Sequence, residues 1–496
     1  MAIAAEYKHG VYGEQIPFAN SSIPAIGTVP AYIGTAPIQQ VNTQGVAGFD
    51  YTPYINTPLL IRRYRDVSSN LGYTTDWSSF TLCEAISAHF LAGDAPIGPI
   101  VCVNMTNPAQ LAAEETETTV TMSGATGDKT GILADPLAAI ENISLSGTSG
   151  ALTAGTDYTM AYVDGGIQIT VTKSGFSDAT VTATYKQIDV SQETLDSAAF
   201  AQALAALDVA EVKTGQICNI VAAPGWSQIP EYHTELMTKV NARLAQKWQT
   251  IAVTDIPADS STNTPAAAIE WQETNQYNDR MEKVCWPMAT FEGQQYHLST
   301  LAAVDMQTVD TNAGGVPYIS PSNKAINADA TILDDGTEIF ISEVTANSLN
   351  EVGITTTNII RGGMRLWGPH MANYNFDQAD NILPEDLQDS SIRMGIYLIN
   401  YLQYNYIDSV DMPFARRDID AILASVQQWL NALVNAGQLL FGTVSFDATD
   451  NTTDAMISGD FVFNVKDTFT PNAKSLTFRC QYTTTGLSSL TGGETA

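Results

Sequence analysis

The residue patterns that most often carry catalysis are incomplete in this chain of 496 residues. The run Gly124–Thr130 (GATGDKT) resembles a phosphate-binding loop, but Asp128 stands where that motif requires glycine. The run also lies in strand-rich sequence, where no strand–loop–helix unit is available to hold a phosphate. The sequence contains no G-x-G-x-x-G fingerprint and no G-x-S-x-G elbow. We therefore expect no nucleotide site and no cofactor.

Metal and acid–base patterns are equally incomplete. The histidines are far apart along the chain and form no HExxH motif; they are His9, His89, His233, His297 and His370. His89 falls on the apolar face of a predicted helix, which favours a packed core residue over a metal ligand. The pair Asp334–Asp335 precedes Gly336 and is typical of a turn. The sequence thus predicts no metal site, no catalytic residues and no enzyme.

The charge of the chain excludes several classes of partner. There are 53 acidic and 22 basic residues, for a net charge of −31. Binding to double-stranded nucleic acid draws on clustered Lys and Arg, so we expect no nucleic-acid partner. An anionic membrane surface is disfavoured for the same reason. The charge fits either simple solubility of an abundant protein or a polymer whose layers repel and need specific contacts to hold them together.

Cysteine usage and hydropathy indicate a reducing compartment. The five cysteines are scattered and form no CxxC pair, which is unlike a disulfide framework. No run approaches the ~18 continuous apolar residues of a membrane-spanning helix. The first ten residues (MAIAAEYKHG) lack the layout of a secretion signal. We expect the protein to be made and assembled in a cytoplasm.

The order of predicted elements indicates a multidomain α+β protein. Residues 1–24 read as an extended arm, with a frayed terminus as the alternative. Buried strands alternate with helices in 25–107 and 191–360, which predicts one α/β core domain. Residues 108–190 are rich in Thr, Ser and Gly with period-two runs, which predicts an inserted β-sandwich or barrel. Residues 361–496 are predicted to form a C-terminal α+β domain that ends in a second arm.

A long amphipathic helix dominates this last domain. Its apolar residues recur at three- and four-residue spacing, and they are Ile419, Ile422, Val426, Leu430 and Leu433. The pattern predicts a helix over 414–436 that ends at Gly437, after an apolar helix over about 391–406. Strands are predicted at 443–446 and 460–465. Long loops are predicted near 305–335.

Several of these segments, in this order, resemble the contractile tail sheath proteins of phages and related contractile injection particles. The match consists of the helix Ile392–Tyr406, the turn at Pro413, the pair Arg416–Arg417, the long helix and Gly437, with Arg361–Gly368 (RGGMRLWG) before them and His9–Tyr12 and Ile26–Pro37 near the start. The resemblance covers both ends and much of the middle of the chain. Sheath cores are related in shape to subtilisin-like folds, but no motif here places Asp, His and Ser in catalytic roles.

The resemblance implies a structural subunit that polymerises as stacked six-fold rings around an inner tail tube protein. Its arms would bind the C-terminal sheets of neighbouring copies, and its other partners would be baseplate and tail terminator proteins. A trigger from the baseplate would rotate the subunits and drive the tube through a target envelope. No nucleotide is needed for this. The location would be a virion tail or a tail-like particle, with the β-rich insertion facing outward.

Roles for individual residues follow from their positions. Val11, Tyr12 and Ile16 are predicted contacts of the N-terminal arm, since an extended peptide can add a strand to a neighbour's sheet. Leu476, Phe478, Cys480 and Tyr482 alternate with polar residues and predict a C-terminal strand, as an intersubunit arm, an acceptor or part of a core. Arg416 and Arg417 are candidate tube contacts. In the alternative, helix 414–436 is wholly internal and these arginines pair with Asp418 and Asp420.

Two other classes of function remain open from the sequence. One is a different self-assembling shell or surface-layer protein, which would also use exposed edges and arms. The other is a hydrolase-like α/β enzyme whose site the motifs do not reveal. Striated hollow cylinders of purified protein would separate the first from a sheath, and turnover lost on changing one acidic residue would support the second.

Overall fold

The computed structural model describes residues 27–93, 95–244 and 247–491. The predicted N-terminal arm, with Val11, Tyr12 and Ile16, lies outside these residues. Among the described residues, no helix combines the length and the apolar character needed to cross a membrane.

The α/β core begins with strands whose residues are almost all buried. Its first elements are β1 (Pro30–Gly34), β2 (Pro58–Ile61), helix α1 (Leu82–Phe90) and β3 (Ile100–Asn104). Every residue of β1 and β3 is buried, which is typical of parallel strands covered on both faces. These elements agree with the alternation of buried strands and a helix that the sequence predicts for 25–107.

Two antiparallel sheets then interrupt the core. One has the order β5-β6-β10-β9 and the other β4-β11-β7-β8. Their strands are β4 (Thr116–Thr121), β5 (Ser123–Ala125), β6 (Asp128–Leu133), β7 (Ser144–Gly147), β8 (Gly150–Leu152), β9 (Tyr158–Val163), β10 (Gly166–Val171) and β11 (Thr180–Tyr185). Alternate residues of β10 are buried in a cluster confined to this region, so the two sheets share their own apolar core.

The second half of the core completes a six-stranded sheet. Its elements are α2 (Ser197–Ala205), α3 (Ala210–Thr214), β12 (Ile220–Ala222), α4 (Pro230–Leu244), β13 (Ile251–Asp255), α5 (Pro265–Asn275) and β14 (Glu282–Cys285). The strand order is β14-β13-β12-β1-β3-β2, parallel throughout except for the edge strand β2. The strands on either side of the insertion are therefore neighbours in one sheet, since β1 pairs with both β3 and β12.

A central helix replaces part of the predicted loop region. The next elements are β15 (Met288–Phe291), β16 (Gln294–Tyr296), α6 (Leu298–Asn312), β17 (Ala330–Ile332), α7 (Glu343–Asn350), β18 (Thr356–Ile360) and β19 (Gly363–Trp367). The prediction of loops from about 305 is wrong up to Asn312. Helix α6 is buried on nearly all sides, polar Asp305 and Asp310 included, so its sequence shows no amphipathic period.

The C-terminal unit places two helices over a two-stranded sheet. Its elements are α8 (Asp389–Tyr406), α9 (Arg416–Asn435), β20 (Leu439–Ser445), α10 (Thr453–Ser458) and β21 (Asn464–Phe469). Both predicted helices are present, but β21 begins four residues after the predicted strand start at 460. Helix α9 buries Val426, Leu430 and Leu433 against β20, and Gly442 in that strand lets the helix approach closely.

The predicted C-terminal strand is not formed. No strand is assigned from 470 to 491, and Leu476, Phe478, Cys480 and Tyr482 are all exposed. The core-strand interpretation of this segment is therefore wrong. Alternation of apolar residues favours a strand only where a partner strand supplies a ladder of backbone hydrogen bonds, and among the described residues no strand pairs with 476–482.

Candidate intersubunit surfaces

Acid, base and hydroxyl side chains do meet at the carboxyl end of the core sheet. His297 Nδ1 lies 2.7 Å from Glu84 Oε2, and the His297 backbone N–H donates to Glu84 Oε1 at 2.7 Å. Asp255, the last residue of β13, accepts hydrogen bonds from the backbone N–H and the hydroxyl of Ser299. Both carboxylates thus satisfy N–H groups at the start of α6, where negative charge is favoured.

The protonation of this cluster makes it unsuitable for nucleophilic catalysis. Burial works to lower the pKa of His297, but the charge and hydrogen bond of Glu84, with the charge of Asp255, raise it overall to about 9. Burial raises the pKa of Asp255 to about 6. A histidine protonated at neutral pH cannot act as a general base, and the Ser299 hydroxyl donates to Asp255 rather than to His297. We assign the cluster a structural role.

The exposed apolar residues of the C-terminal segment are the clearest interaction feature. Leu476, Phe478 and Tyr482 are 75%, 84% and 82% exposed. They recur at even spacing, so one face of an extended strand would carry all three. Large apolar side chains in such a row are typical of a surface that a partner covers. The structure thus leaves these predicted residues available for a neighbour.

The two-stranded sheet of the C-terminal unit offers open edges. Among the described residues, β20 and β21 pair only with each other, in antiparallel register from Leu439–Phe469 to Ser445–Asn464. A bulge between Leu439 and Phe441 interrupts β20 and leaves Leu440 and Phe441 exposed. An unpaired edge is a ready template for an added strand.

A groove runs beside β21. It has a volume of about 890 Å³, and Thr468 and Phe469 of β21 form one side while Gly395 and Ile399 of α8 form another. Asp467 and Glu385 also line it, and burial together with Glu385 raises the pKa of Asp467. An extended segment could lie here with its backbone against the strand and its side chains against the helix.

A second groove lies at the other end of the same unit. Its volume is about 870 Å³, and its wall is mostly apolar, with Val410, Met412, Phe414, Phe461 and Phe463 among the lining residues. The rings of Phe414 and Phe461 pack at an angle of 39°, with their centres 5.0 Å apart. The alternation of Phe461 and Phe463 is the sequence signal for this groove.

The predicted tube-contact arginines lie at the start of α9. Arg416 Nη2 is 2.9 Å from Asp420 Oδ1, and Arg417 Nε is 3.4 Å from Asp418 Oδ1. The arginine side chains are 76% and 88% exposed. The pairing agrees with the alternative interpretation, but the helix is not wholly internal, because only one face of it is buried. Exposed pairs of this kind contribute little to stability, so both arginines remain available to a partner.

Comparison with solved structures finds a similar fold in a baseplate structure and in a contractile injection system. A chain in the cryo-EM structure of the anti-feeding prophage (AFP) baseplate, 6-fold symmetrised, matches 97% of this chain and all of its own length, with a TM-score of 0.55 and 13% identity. A chain of the PVC sheath complex, from an extracellular contractile injection system in the contracted state, matches 97% and 99% with a TM-score of 0.53 and 11% identity. At these identities the likeness is one of fold.

A comparison of sequences sharpens this result. The tail sheath protein of Burkholderia phage BcepMu is 26% identical over 526 residues, which cover 99% of this chain and 100% of that protein. No family model matches the chain. The predicted resemblance to tail sheath proteins is confirmed, as is a mixed α/β fold with several sheets. The name of this relative, a tail sheath protein, agrees with the prediction that the chain is not an enzyme.

Proposed function

We propose that this chain is the subunit of a contractile tail sheath. Copies polymerise as stacked six-fold rings around an inner tail tube, and the sheath shortens to drive the tube through a target envelope. The particle is a phage tail or a tail-like injection particle. The observation that carries the proposal is the pairing, within one subunit, of an exposed apolar segment at 476–482 with an open two-stranded sheet.

The two features complement each other between copies. A segment that needs a strand partner and a sheet that lacks outer strands satisfy one another when one copy's segment joins another copy's sheet. Each added backbone hydrogen bond contributes about 1 kcal/mol net, so many arms are needed to hold a polymer. Such contacts are head-to-tail, and they close into rings or continue as helices. Charge agrees as well, because the groove beside β21 carries Asp467 and Glu385 while the segment carries Arg479.

The parts of the chain take separate roles in this proposal. Residues 1–24 and the C-terminal segment are the arms, and 361–496 hold the acceptor sheet. The core of 25–107 and 191–360 acts as a rigid body, and the β-rich region 108–190 faces outward. The partners are further copies of this chain, the inner tube protein, and the baseplate and tail terminator proteins. Arg416 and Arg417 contact the tube. The chain needs no cofactor.

Removal of residues 1–16 tests the N-terminal arm with Val11, Tyr12 and Ile16. The shortened subunit should remain folded and soluble, because the sequence of 1–16 is too short and too polar to form a core of its own. It should fail to form sheaths in negative-stain electron microscopy, under conditions in which the full chain is expected to form hollow striated cylinders. Long contractile sheaths from the shortened chain would contradict the arm role. Flat sheets or closed shells from the full chain would support a surface-layer or shell protein instead.

Replacement of Arg416 and Arg417 by Glu tests the tube contact. The double variant should weaken assembly on the tube roughly tenfold, since reversed charges at an interface repel a complementary surface. Polymerisation without the tube should change little. Sedimentation of sheath with and without purified tube measures both. An equal loss in the two assays would place the arginines in folding or in contacts between copies rather than on the tube.

A further inference from the structure

The C-terminal segment leaves the body of the subunit at one defined residue. Strand β21 ends at Phe469, and of the residues from 471 to 487 only Asn472 is not exposed. The other residues of this range are exposed, including the apolar residues Leu476 and Phe478. The direction in which the segment can extend is therefore set at Asn472.

Asn472 is held by four different groups. The Gln388 side-chain amide accepts from the Asn472 backbone N–H at 2.8 Å and donates to its carbonyl at 2.8 Å. The side-chain Nδ2 of Asn472 donates to Ser390 Oγ at 2.5 Å and to the Tyr318 carbonyl at 3.4 Å. The Ser320 backbone N–H donates to Asn472 Oδ1 at 3.5 Å. Gln388 thus serves the backbone of Asn472 as a neighbouring strand would.

The groups that hold Asn472 are themselves fixed to the α/β core. Gln388 immediately precedes α8, and Asp389 at the first position of that helix forms a fully buried ion pair with Lys283 of β14, at 2.8 Å. One turn further along α8, Arg393 pairs with buried Asp310 of α6. The start of the C-terminal segment is therefore attached to the core through α8, although the preceding strand β21 belongs to the C-terminal unit.

A second contact lies two residues further along the segment. Lys474 Nζ is 3.2 Å from the Tyr374 hydroxyl and 5.4 Å from the centre of its ring. Tyr374 is stacked on His370, with ring centres 3.5 Å apart. Because Lys474 is exposed, its contact with Tyr374 is weaker than the contacts of Asn472. It orients the segment just beyond the residue that fixes its start.

We infer that Asn472 is a positioning residue for the C-terminal arm, clamped by Gln388 and Ser390 so that the arm leaves each subunit at a fixed point and in a fixed direction. The inference rests on the proposed function, because it concerns the arm of an assembling subunit. A rotation of the core then carries the base of the arm with it. The part of the arm that can contact a neighbouring copy therefore begins after Lys474.

Limited trypsin digestion of the unassembled subunit tests the clamp directly. The segment contains two trypsin sites, after Lys474 and after Arg479. Cleavage needs a stretch of chain free of the body, so Arg479 should be cut first and Lys474 slowly. Asn472→Ala should raise the rate at Lys474 roughly tenfold, because cleavage follows the population of the opened form. The rate at Arg479 and the melting temperature should not change.

Two further variants distinguish loss of the contacts at Asn472 from a general increase in the mobility of the C-terminal segment. Gln388→Ala should reproduce the Asn472→Ala pattern, since it removes both backbone contacts. Thr470→Ala is the matched control: its hydroxyl donates to the Gly437 carbonyl at 3.0 Å, two residues before Asn472 and away from α8. The control should leave both cleavage rates unchanged. An unchanged rate at Lys474 in Asn472→Ala, or equal acceleration at both sites, would overturn the inference.

Assembly provides the second readout. Asn472→Ala subunits should form sheaths that are shorter and less regular in their helical spacing by electron microscopy, because the arm keeps its apolar face but loses its fixed start. Regular, full-length sheaths from this variant would overturn the inference even if trypsin opened the site. If removal of 476–496 leaves assembly intact, the proposed arm function fails, whereas the trypsin result still reports on the clamp.

Discussion

The α/β core and the C-terminal unit differ in how much of their hydrogen-bonding and apolar surface is covered within the subunit. Charged groups of the core are buried and paired with residues of α8: Lys283 with Asp389, and Asp310 with Arg393. Its six-stranded sheet is covered by helices. The C-terminal unit instead carries a sheet of two strands with open edges, two grooves and a row of exposed apolar residues.

The difference indicates where stability and assembly are determined. The buried ion pairs between the core and α8 fix one arrangement of helices, since each charge is expensive to bury unless its partner is in place. An open sheet and exposed apolar residues gain free energy only when another chain covers them. Changes in the core should therefore affect the isolated subunit, and changes in the C-terminal unit should affect the polymer.

The largest effect on the isolated subunit is expected from Lys283→Met. The Lys283 ammonium donates to Asp389 Oδ2 at 2.8 Å and to the carbonyls of Gly368 and His370 at 2.8 and 3.2 Å, which uses all three of its hydrogens. Its loss leaves Asp389 buried without a counter-charge. The free energy of unfolding should fall by about 3–5 kcal/mol, measured by chemical denaturation.

The double variant Lys283→Met with Asp389→Leu is the control for that result. It removes both charges, so it should be less destabilised than the single variant. A single variant within about 1 kcal/mol of the parent would show that the pair does not tie α8 to the core, and the comparison between the two regions would weaken.

A smaller decrease in the free energy of unfolding is expected when the pH is raised. Glu84 and Asp255 raise the folded-state pKa of His297 from 6.5 to about 9 against the effect of burial. The folded protein therefore binds the proton more tightly than the unfolded chain. The resulting stability is fully present below pH 6.5 and is lost as pH rises through 9. Between these limits we expect a loss of about 2–3 kcal/mol in the free energy of unfolding.

His297→Gln isolates this contribution from other groups that titrate at high pH. Glutamine cannot gain the charge, so the variant should be less stable than the parent at pH 6.5 and should approach it at pH 9. Denaturation curves at several pH values measure the two slopes. Parallel slopes would mean that the charge of His297 does not contribute to the core.

The parts of this structure that could be predicted from sequence are those with one buried face or a continuous apolar run. Helix α9 was predicted over 414–436 and spans Arg416–Asn435, because its apolar stripe is complete. Helix α6 was missed because burial on nearly all sides removes the period. The pairs Glu84–His297 and Gln388–Asn472 are separated by 213 and 84 residues, and no local pattern reports such contacts.

The C-terminal segment illustrates the remaining limit. Its alternation predicts a strand, yet none is formed from 470 to 491 in the described chain. Under the proposed function the backbone partner of this strand belongs to another copy, so the pattern describes the polymer. In the single subunit, Leu476, Phe478 and Tyr482 form an exposed apolar face.

The smallest effect on the isolated subunit, and the sharpest test of the comparison, is expected from Leu476→Asp with Phe478→Asp. Both side chains are already exposed, so the free energy of unfolding should change by less than about 0.5 kcal/mol. Assembly should nevertheless be lost, because burying the two new carboxylates against a neighbour's sheet is unfavourable. Thr477→Asp with Gln481→Asp adds the same charge to the opposite face of the segment and is the matched control. Sedimentation should find the first variant unassembled at concentrations where the control still forms sheaths. If both variants lose assembly equally, added charge alone is responsible; if neither does, the exposed apolar face is not what joins one copy to the next.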